Sequence, residues 1–441
     1  MQAKVSRLLL LLLTLSWSSW GLAQTGEYEF TTIAGLAGTS GNADGTNDEA
    51  RFYFPGGIAV DSNGILYAAD ILNHTIRKLT PAGTNWVVTT IAGLAGNPGS
   101  SDGTNSGARF DHPNGVTVDQ AGNVFVADHY NHTIRKLIPS GTNWIVSTIA
   151  GLALTHGSVD GTNSEARFWS PTGIAVDTNG HLYVADTLNF TVRQIVQSGA
   201  NWVVTTIAGL ALNYGPADGT NSDAQFDFPY GITADRSGRL YVADFGNNAI
   251  RQILASGRDW IVSTIAGSSN AIGSADGPGW LATFNEPNSV CVDEAGFVYA
   301  SDQNNNIIRK LIGSGTNWNV STIGGVPLQA GSSDGLGSDA RFKQPWGIAA
   351  GTDGSLFVAD YGNHTIRRGV FIPALRIRLS SQKVFLLWPW AAVGYVPEKS
   401  VSLAPDAVWS QLTNSPATNG LNFVLSDQLA VGPVFYRLRK Q

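Results

Sequence analysis

Three histidines, His74, His132 and His364, stand one and four multiples of a 58-residue step apart. Imidazoles in register could share a zinc ion, which holds each nitrogen at about 2.1 Å. If the step builds a six-fold ring, equivalent positions lie as far from one another as from the axis. With strands about 4.8 Å apart, that is roughly 10 Å or more, so a shared ion is disfavoured. A calcium loop at the repeated Asp44-Gly45 is disfavoured too, because the oxygen ligands are few and irregularly spaced. The single cysteine, Cys291, takes the place of Ala59 or Thr117 and reads as a small buried residue, with no disulfide and no thiolate metal cluster. No Ser-His-Asp or paired-carboxylate arrangement can be located, so no catalytic residue is assigned.

Recognition chemistry is better represented. Between a repeated Pro and the following Gly or Ser the residue varies, giving Asn114, Tyr230, Asn288 and Trp346. After a repeated Asp come Tyr130, Phe245 and Tyr361, and before the Pro stand His112 and Trp169. Aromatic rings supply contact area and amides supply direction, which is what a glycan, peptide or protein ligand requires. These nine residues are the candidate ligand contacts.

The elements that must position them follow from the period. Asp70, Asp128, Asp186, Asp244, Asp302 and Asp360 recur every 58 residues without insertion, as do Arg77 and its five copies. Such regularity marks a repeat architecture. In the first unit four β-type runs, Gly57 to Asp61, Ile65 to Asp70, Thr75 to Leu79 and Trp86 to Ala92, are separated by turn residues such as Ser62-Asn63-Gly64. Each unit is thus a four-stranded antiparallel meander. The second strand is apolar on both faces, as in Leu182 to Ala185, so the sheets must be covered on both sides, as radially packed blades are. Phe30 to Gly35 repeats the pattern of Val88 to Gly93, an outermost strand, while the last unit stops after its third strand near Phe371. The early segment should therefore complete the last blade and close a six-bladed β-propeller without open edges. The repeated Arg should pair with Asp of the second strand or its neighbour, the repeated Asn73 should take a left-handed turn, and the Asp44 loop should lead through a short helical segment to Phe52, a plug between blades.

Units such as Pro113 to Asp119, Val124 to Asp128 and Asn131-His132-Thr133-Ile134-Arg135-Lys136-Leu137 resemble NHL repeats, named for an Asn-His-Leu signature. The resemblance runs over residues 30 to 371. It departs at the third signature residue, and His gives way to Phe190, Asn248 and Asn306, which tells against a role for that His. NHL-type propellers resemble those of a peptide-amidating lyase and of some lactone hydrolases that bind metal in the channel. The inner strands here offer Gly57, Gly115, Gly173, Gly231, Ser289 and Gly347 instead of a His or acidic cluster.

Composition bounds the rest. Gly is abundant at 51 residues and charged residues make up 14%, which suits an all-β chain with many turns. Lys4 and Arg7, the apolar run from Leu8 to Leu15, and Gly21 and Ala23 read as a secretory signal over residues 1–23. Without Lys4 and Arg7 the net charge moves from −6 to near −8, which repels phosphate backbones and argues against nucleic acid. No later segment is long enough to span a membrane. The propeller is assigned residues 24–371. Residues 372–441 lose the period and read as a small C-terminal β-sandwich. It is similar, through Leu386-Leu387-Trp388-Pro389 and Phe435 to Leu438, to C-terminal immunoglobulin-like modules of secreted bacterial proteins. The expectation is a secreted, periplasmic or cell-surface binding module for an extracytoplasmic glycan, peptide or protein. It has no expected cofactor, although a channel calcium or zinc, a metal-assisted lyase or hydrolase, and a structural spacer presenting the C-terminal module stand as alternatives.

Overall fold

A computed structural model describes residues 26–380, 383–389, 395–404, 406–419, 422–428 and 434–440. The expected signal, residues 1–23, lies outside them. Helical structure among the described residues is confined to three-residue 3-10 turns, and no helix there is long and apolar enough to cross a membrane.

Glu27–Ile372 is one compact unit of six antiparallel sheets. Blade 1 runs Pro55–Val60, Leu66–Asp70, Thr75–Ala82 and Asn85–Gly93; blades 2 to 5 repeat it at the 58-residue step, as do the first three strands of blade 6. The two apolar faces read in the second strand are both used: Leu66, Tyr67, Ala68 and Ala69 are all buried, some in the core shared with blade 6 and some in the core shared with blade 2. Each sheet also carries a two-residue fifth strand at its outer edge, Gly45–Thr46 in blade 1, which pairs with Val87 and Val88. Gly26–Ala34 lies next to Thr365–Pro373 in the sixth sheet, so the closure expected from the offset of the ends is present.

One polar cluster recurs in every blade. In blade 1 the Arg77 guanidinium, fully buried, donates to Asp70 Oδ2 at 2.7 Å and to Asp44 Oδ1 at 2.9 Å, and lies 5.0 Å from the centre of the Phe52 ring. Phe52 fills the core between blades 6 and 1. The left-handed position was placed one residue early. Asn73 instead donates through Nδ2 to Gly41 O and Asp70 Oδ2, and the next residue, His74, takes the positive φ of 57°.

A second left-handed position lies in five of the six loops from a fourth strand to the next blade, where Gly38 and Gly96 meet its demand. Leu154 occupies it at φ 61° with its side chain 73% exposed. Leu154→Gly is expected to raise unfolding stability by about 0.5–1 kcal/mol in denaturant titrations, since the left-handed strain is relieved and little burial is lost.

Residues from Pro373 onward belong to a second unit. Arg376–Ser380, Lys383–Pro389, Asn422–Gln428 and Ala417–Asn419 form one sheet, and Ser410–Gln411, Tyr395–Ser400 and Phe435–Lys440 another. Val384, Leu386, Trp388 and Leu425 make a core against which Tyr395, Tyr436 and Leu438 of the second sheet pack. Lys399 Nζ and Tyr436 Oη both donate to Asp427, at 2.8 and 3.1 Å, tying the sheets into a small sandwich.

Candidate functional site

The inner strands surround a channel of about 180 Å3 lined by Gly57, Gly115, Gly173, Gly231, Ser289 and the aliphatic residues after them. Glycine is required there by close approach: a Cβ on Gly57 would lie 2.5 Å from Asn114 O, and one on Gly173 would lie 2.1 Å from Tyr230 O, in each case on the next blade. Cys291 also lines the channel, and burial raises its thiol well above the ordinary range. Such a narrow tube, whose lining includes Thr117, Thr233 and Ser289 but no His, Asp or Glu, offers little chemistry of its own, so the mouth, where the repeats differ, is the candidate site.

Trp346 of blade 6 dominates that mouth. Its indole Nε1 donates to Asn114 Oδ1 of blade 2 at 3.2 Å, and its ring lies 6.1 Å from Tyr230 of blade 4 with 25° between planes. A side chain that touches alternate blades on both sides must lie across the axis. Ser301, standing where Ala69 and its copies stand in other blades, donates through Oγ to the Trp346 carbonyl and fixes the base of the side chain. Around Trp346 the rings form a continuous ribbon. Tyr53 and Phe54 are 5.3 Å apart, Phe54 and Tyr361 4.4 Å, Tyr361 and Trp346 4.6 Å, and Tyr230 and Phe245 4.4 Å, with interplanar angles of 24° to 33°. The ribbon thus runs from blade 1 through blade 6 to blade 4. Burial, with Glu286 and the Tyr130 and Tyr361 hydroxyls nearby, pushes the Tyr230 phenol up, so it remains a neutral donor.

Of the nine residues singled out in sequence, Tyr230, Phe245, Trp346, Tyr361 and Asn114 meet in this assembly. Asn288 does not: it is 1% exposed and donates to Gln303 Oε1 at 2.8 Å. His112 and Tyr130 form a separate rim group with ring centres 4.3 Å apart, and Trp169 stacks on His156 at 4.6 Å. Phe54 was missed, although it occupies the same repeat position as His112.

The signature histidines have a role that the sequence reading denied them. His74 Nδ1 accepts the backbone N–H of His112, His132 Nδ1 that of Ser170, and His364 Nδ1 that of Phe54, each at 3.1 to 3.2 Å and each reaching the next blade. Asn248 and Asn306 do the same with Oδ1, toward Glu286 and Gln344 at 2.8 Å. What His and Asn share is an acceptor at one place, and their alternation was the available signal. The residues donating these bonds have positive φ, 57° at Phe54 and 51° at His112, so the bonds pin strained turns.

His74, Asp111 and His112 bring three ligand-type atoms within 4.8 Å of one another. However, neutral His74 has one lone pair, which the His112 N–H already uses, and His112 Nδ1 lies 2.7 Å from Asp111 Oδ1. The trio is therefore organised as a hydrogen-bonded group. Burial lowers His129, beside this group, to about 4, so it stays neutral at physiological pH.

Comparison with known proteins bears on the framework. The model of the NHL repeat matches residues 110–137, 168–195, 226–253 and 342–368, which are in blades 2, 3, 4 and 6. NHL repeat-containing protein 2 of Gallus gallus is 31% identical over 304 residues, covering 62% of this chain and 40% of that protein. The corresponding Bos taurus protein is 28% identical over 303 residues. The chain thus spans about two fifths of the length of these curated relatives. Among solved structures, a Bacteroides thetaiotaomicron protein of unknown function aligns with TM-score 0.60 at 23% identity, covering 78% of this chain and 76% of that one. An auxiliary nutrient binding protein from the same organism aligns with TM-score 0.58 at 17% identity, covering 78% and 77%. At these identities the structural likeness is one of fold. Blades 1 and 5, outside the matched segments, keep the same strand order and the same Asp-Asn-Arg cluster, with Asp70, Asn73 and Arg77 in one and Asp302, Asn305 and Arg309 in the other. Four of the six blades thus match the NHL repeat, and the six repeats fold as a β-propeller.

Proposed function

We propose that the propeller is an extracytoplasmic binding module that takes a glycan, peptide or protein at the channel mouth, with the aromatic ribbon as its contact surface. The observation that carries this reading is the ribbon itself: six rings from three blades, in near-parallel register, at the place where repeats of a structural framework diverge. Trp346 and Tyr230 are the anchors, Tyr361, Phe245 and Phe54 widen the surface, and Tyr130, His112 and Trp169 form its rim. A fold neighbour described as an auxiliary nutrient binding protein is compatible with such a role. The acidic balance of the chain disfavours nucleic acid as the ligand. We place the mature protein outside the cytoplasm, secreted, periplasmic or on the cell surface, on the strength of residues 1–23. We assign it no cofactor.

The test is retention on glycan and peptide arrays. Trp346→Ala and Tyr230→Ala should each lower retention at least about tenfold while the unfolding midpoint moves little, since both rings are only half-buried. Undiminished retention by both variants would remove the proposed site.

A further inference from the structure

We infer that three consecutive blade junctions form an acid-sensitive latch on the mouth of the propeller, which opens as the signature histidines gain a proton and thereby weakens ligand binding at the aromatic ribbon; the last step rests on the binding reading above. The ring has six equivalent junctions. His364 holds the one from blade 6 to blade 1, His74 that from 1 to 2, and His132 that from 2 to 3. Asn248 and Asn306 hold those from 4 to 5 and from 5 to 6, and Phe190 stands at the junction from 3 to 4. The titratable acceptors are therefore gathered in one half of the ring and the non-titratable ones in the other.

A neutral imidazole accepts through Nδ1, whereas a protonated one carries hydrogen on both nitrogens and accepts nothing. Protonation would set an Nδ1–H against the N–H of Phe54, His112 or Ser170. An amide oxygen in the same place is indifferent to pH over this range.

Surroundings decide how each histidine responds. His364 packs against the Tyr53 and Phe54 rings, with the cationic Lys343 nearby. His74 faces the His112 ring and lies 3.7 Å from Asp111 Oδ1, a carboxylate that itself holds His112. His132 faces the His156 ring and has a hydrogen bond to the His129 backbone. In all three, burial is the main influence and lowers the pKa from 6.5, reinforced by Lys343, His112 and His156 and opposed at His74 by Asp111 and at His132 by the hydrogen bond to the His129 backbone. The sign follows. A histidine that resists protonation when folded contributes stability fully present above about pH 6.5 and lost as pH falls toward its lowered value.

The link to the mouth is Phe54. Its backbone is held by His364 and its ring stacks on Tyr361, which stacks on Trp346. Releasing the Phe54 turn frees one end of the ribbon.

Amide hydrogen exchange of the full chain, resolved to single residues, tests the latch without any ligand. Between about pH 7.5 and pH 5, protection factors at Phe54, His112 and Ser170 should fall at least about tenfold, while those at Glu286 and Gln344, held by asparagine, should change less than about twofold. H74N/H132N/H364N should keep protection at all three positions at the lower pH. Asparagine already serves at two junctions, so folding should survive, and H364N alone, read at Phe54, gives the same answer at one junction. Equal loss at the five amides, or loss unaltered by the asparagine variants, would overturn the latch. Array retention then separates the two readings. Retention abolished by Trp346→Ala yet constant with pH would refute the regulation and leave the binding site standing. Absence of retention at every pH, with the exchange pattern as expected, would refute the binding reading and leave the latch.

Discussion

Replacing Arg193 by Met is expected to lower the unfolding stability of the propeller by about 3–5 kcal/mol, the loss typical when one member of a buried ion pair is removed and its partner is left uncompensated. Arg193 and Asp186 are both fully buried and meet at 2.6 Å. The guanidinium also donates to Asp160 Oδ1 at 2.7 Å and to the Arg167 carbonyl at 2.9 Å, and lies 5.2 Å from the centre of the Phe168 ring. One planar group thus joins a second strand, the edge loop and the plug residue of its blade. Asp186 in turn accepts the Trp169 N–H and the Asn189 amide, so it cannot leave its place. Burial pushes its carboxyl up to about 6 against the pull of Arg193. Without the guanidinium nothing cationic opposes that push, and the carboxyl must take a proton or stay charged in an apolar setting. Arg193→Lys should recover only part of the loss, because an ammonium on a flexible stem cannot span both carboxylates as a planar fork does. Chemical denaturation followed by circular dichroism measures both variants. A loss below about 1 kcal/mol in Arg193→Met would mean that the cluster is not what holds the blade.

The framework was legible because its energetics repeat. Asp70, Arg77 and Phe52 recur at a fixed step, the second strands are apolar on both faces, and the match of Phe30 to Gly35 with Val88 to Gly93 points to the closure. Gly45–Thr46 escaped notice because two residues show no periodicity. The left-handed turn was put at Asn73 since asparagine favours that conformation in general. Here its amide is committed to Gly41 and Asp70, and the strain falls on His74. The site was legible in part. Reading down the repeat found Trp346, Tyr230, Phe245 and Tyr361, but not that Trp346 would reach Asn114, 232 residues away. Contacts across the axis depend on ring radius and rotamer, and neither is written in a local pattern. The histidine acceptors are hidden in the sequence because replacement by Asn looks like loss of a role, whereas it keeps the one property the junction uses, an acceptor.

The second large effect belongs to the seam where the ring closes. Phe30 is fully buried and stands at the repeat position of Val88, Val146, Val204, Val262 and Val320. In blade 1, Val88 pairs with Leu79. The blade 6 counterpart of Leu79 is Gly369, and Gly324 replaces the alanine found at Ala92 and its copies. A Cβ on Gly369 or Gly324 would come within 2.5 or 2.4 Å of the Phe30 ring, so the large side chain occupies space that two smaller residues vacate. The seam is thus packed unlike the other five blades, and Phe342 meets the same ring edge-on at 5.1 Å. Phe30→Ala should cost about 3–5 kcal/mol through the cavity it leaves. It should also loosen the closing strand enough to expose the edge at Thr365–Pro373 and promote association. Gly369→Leu alone should be strongly destabilising, because leucine and the ring cannot share the space. The double variant Phe30→Val with Gly369→Leu rebuilds the packing of blades 1 to 5 and should recover much of what either change loses, a coupling readable from a double-mutant cycle in denaturant. Additive losses in that cycle would mean that the size exchange is not what seals the ring.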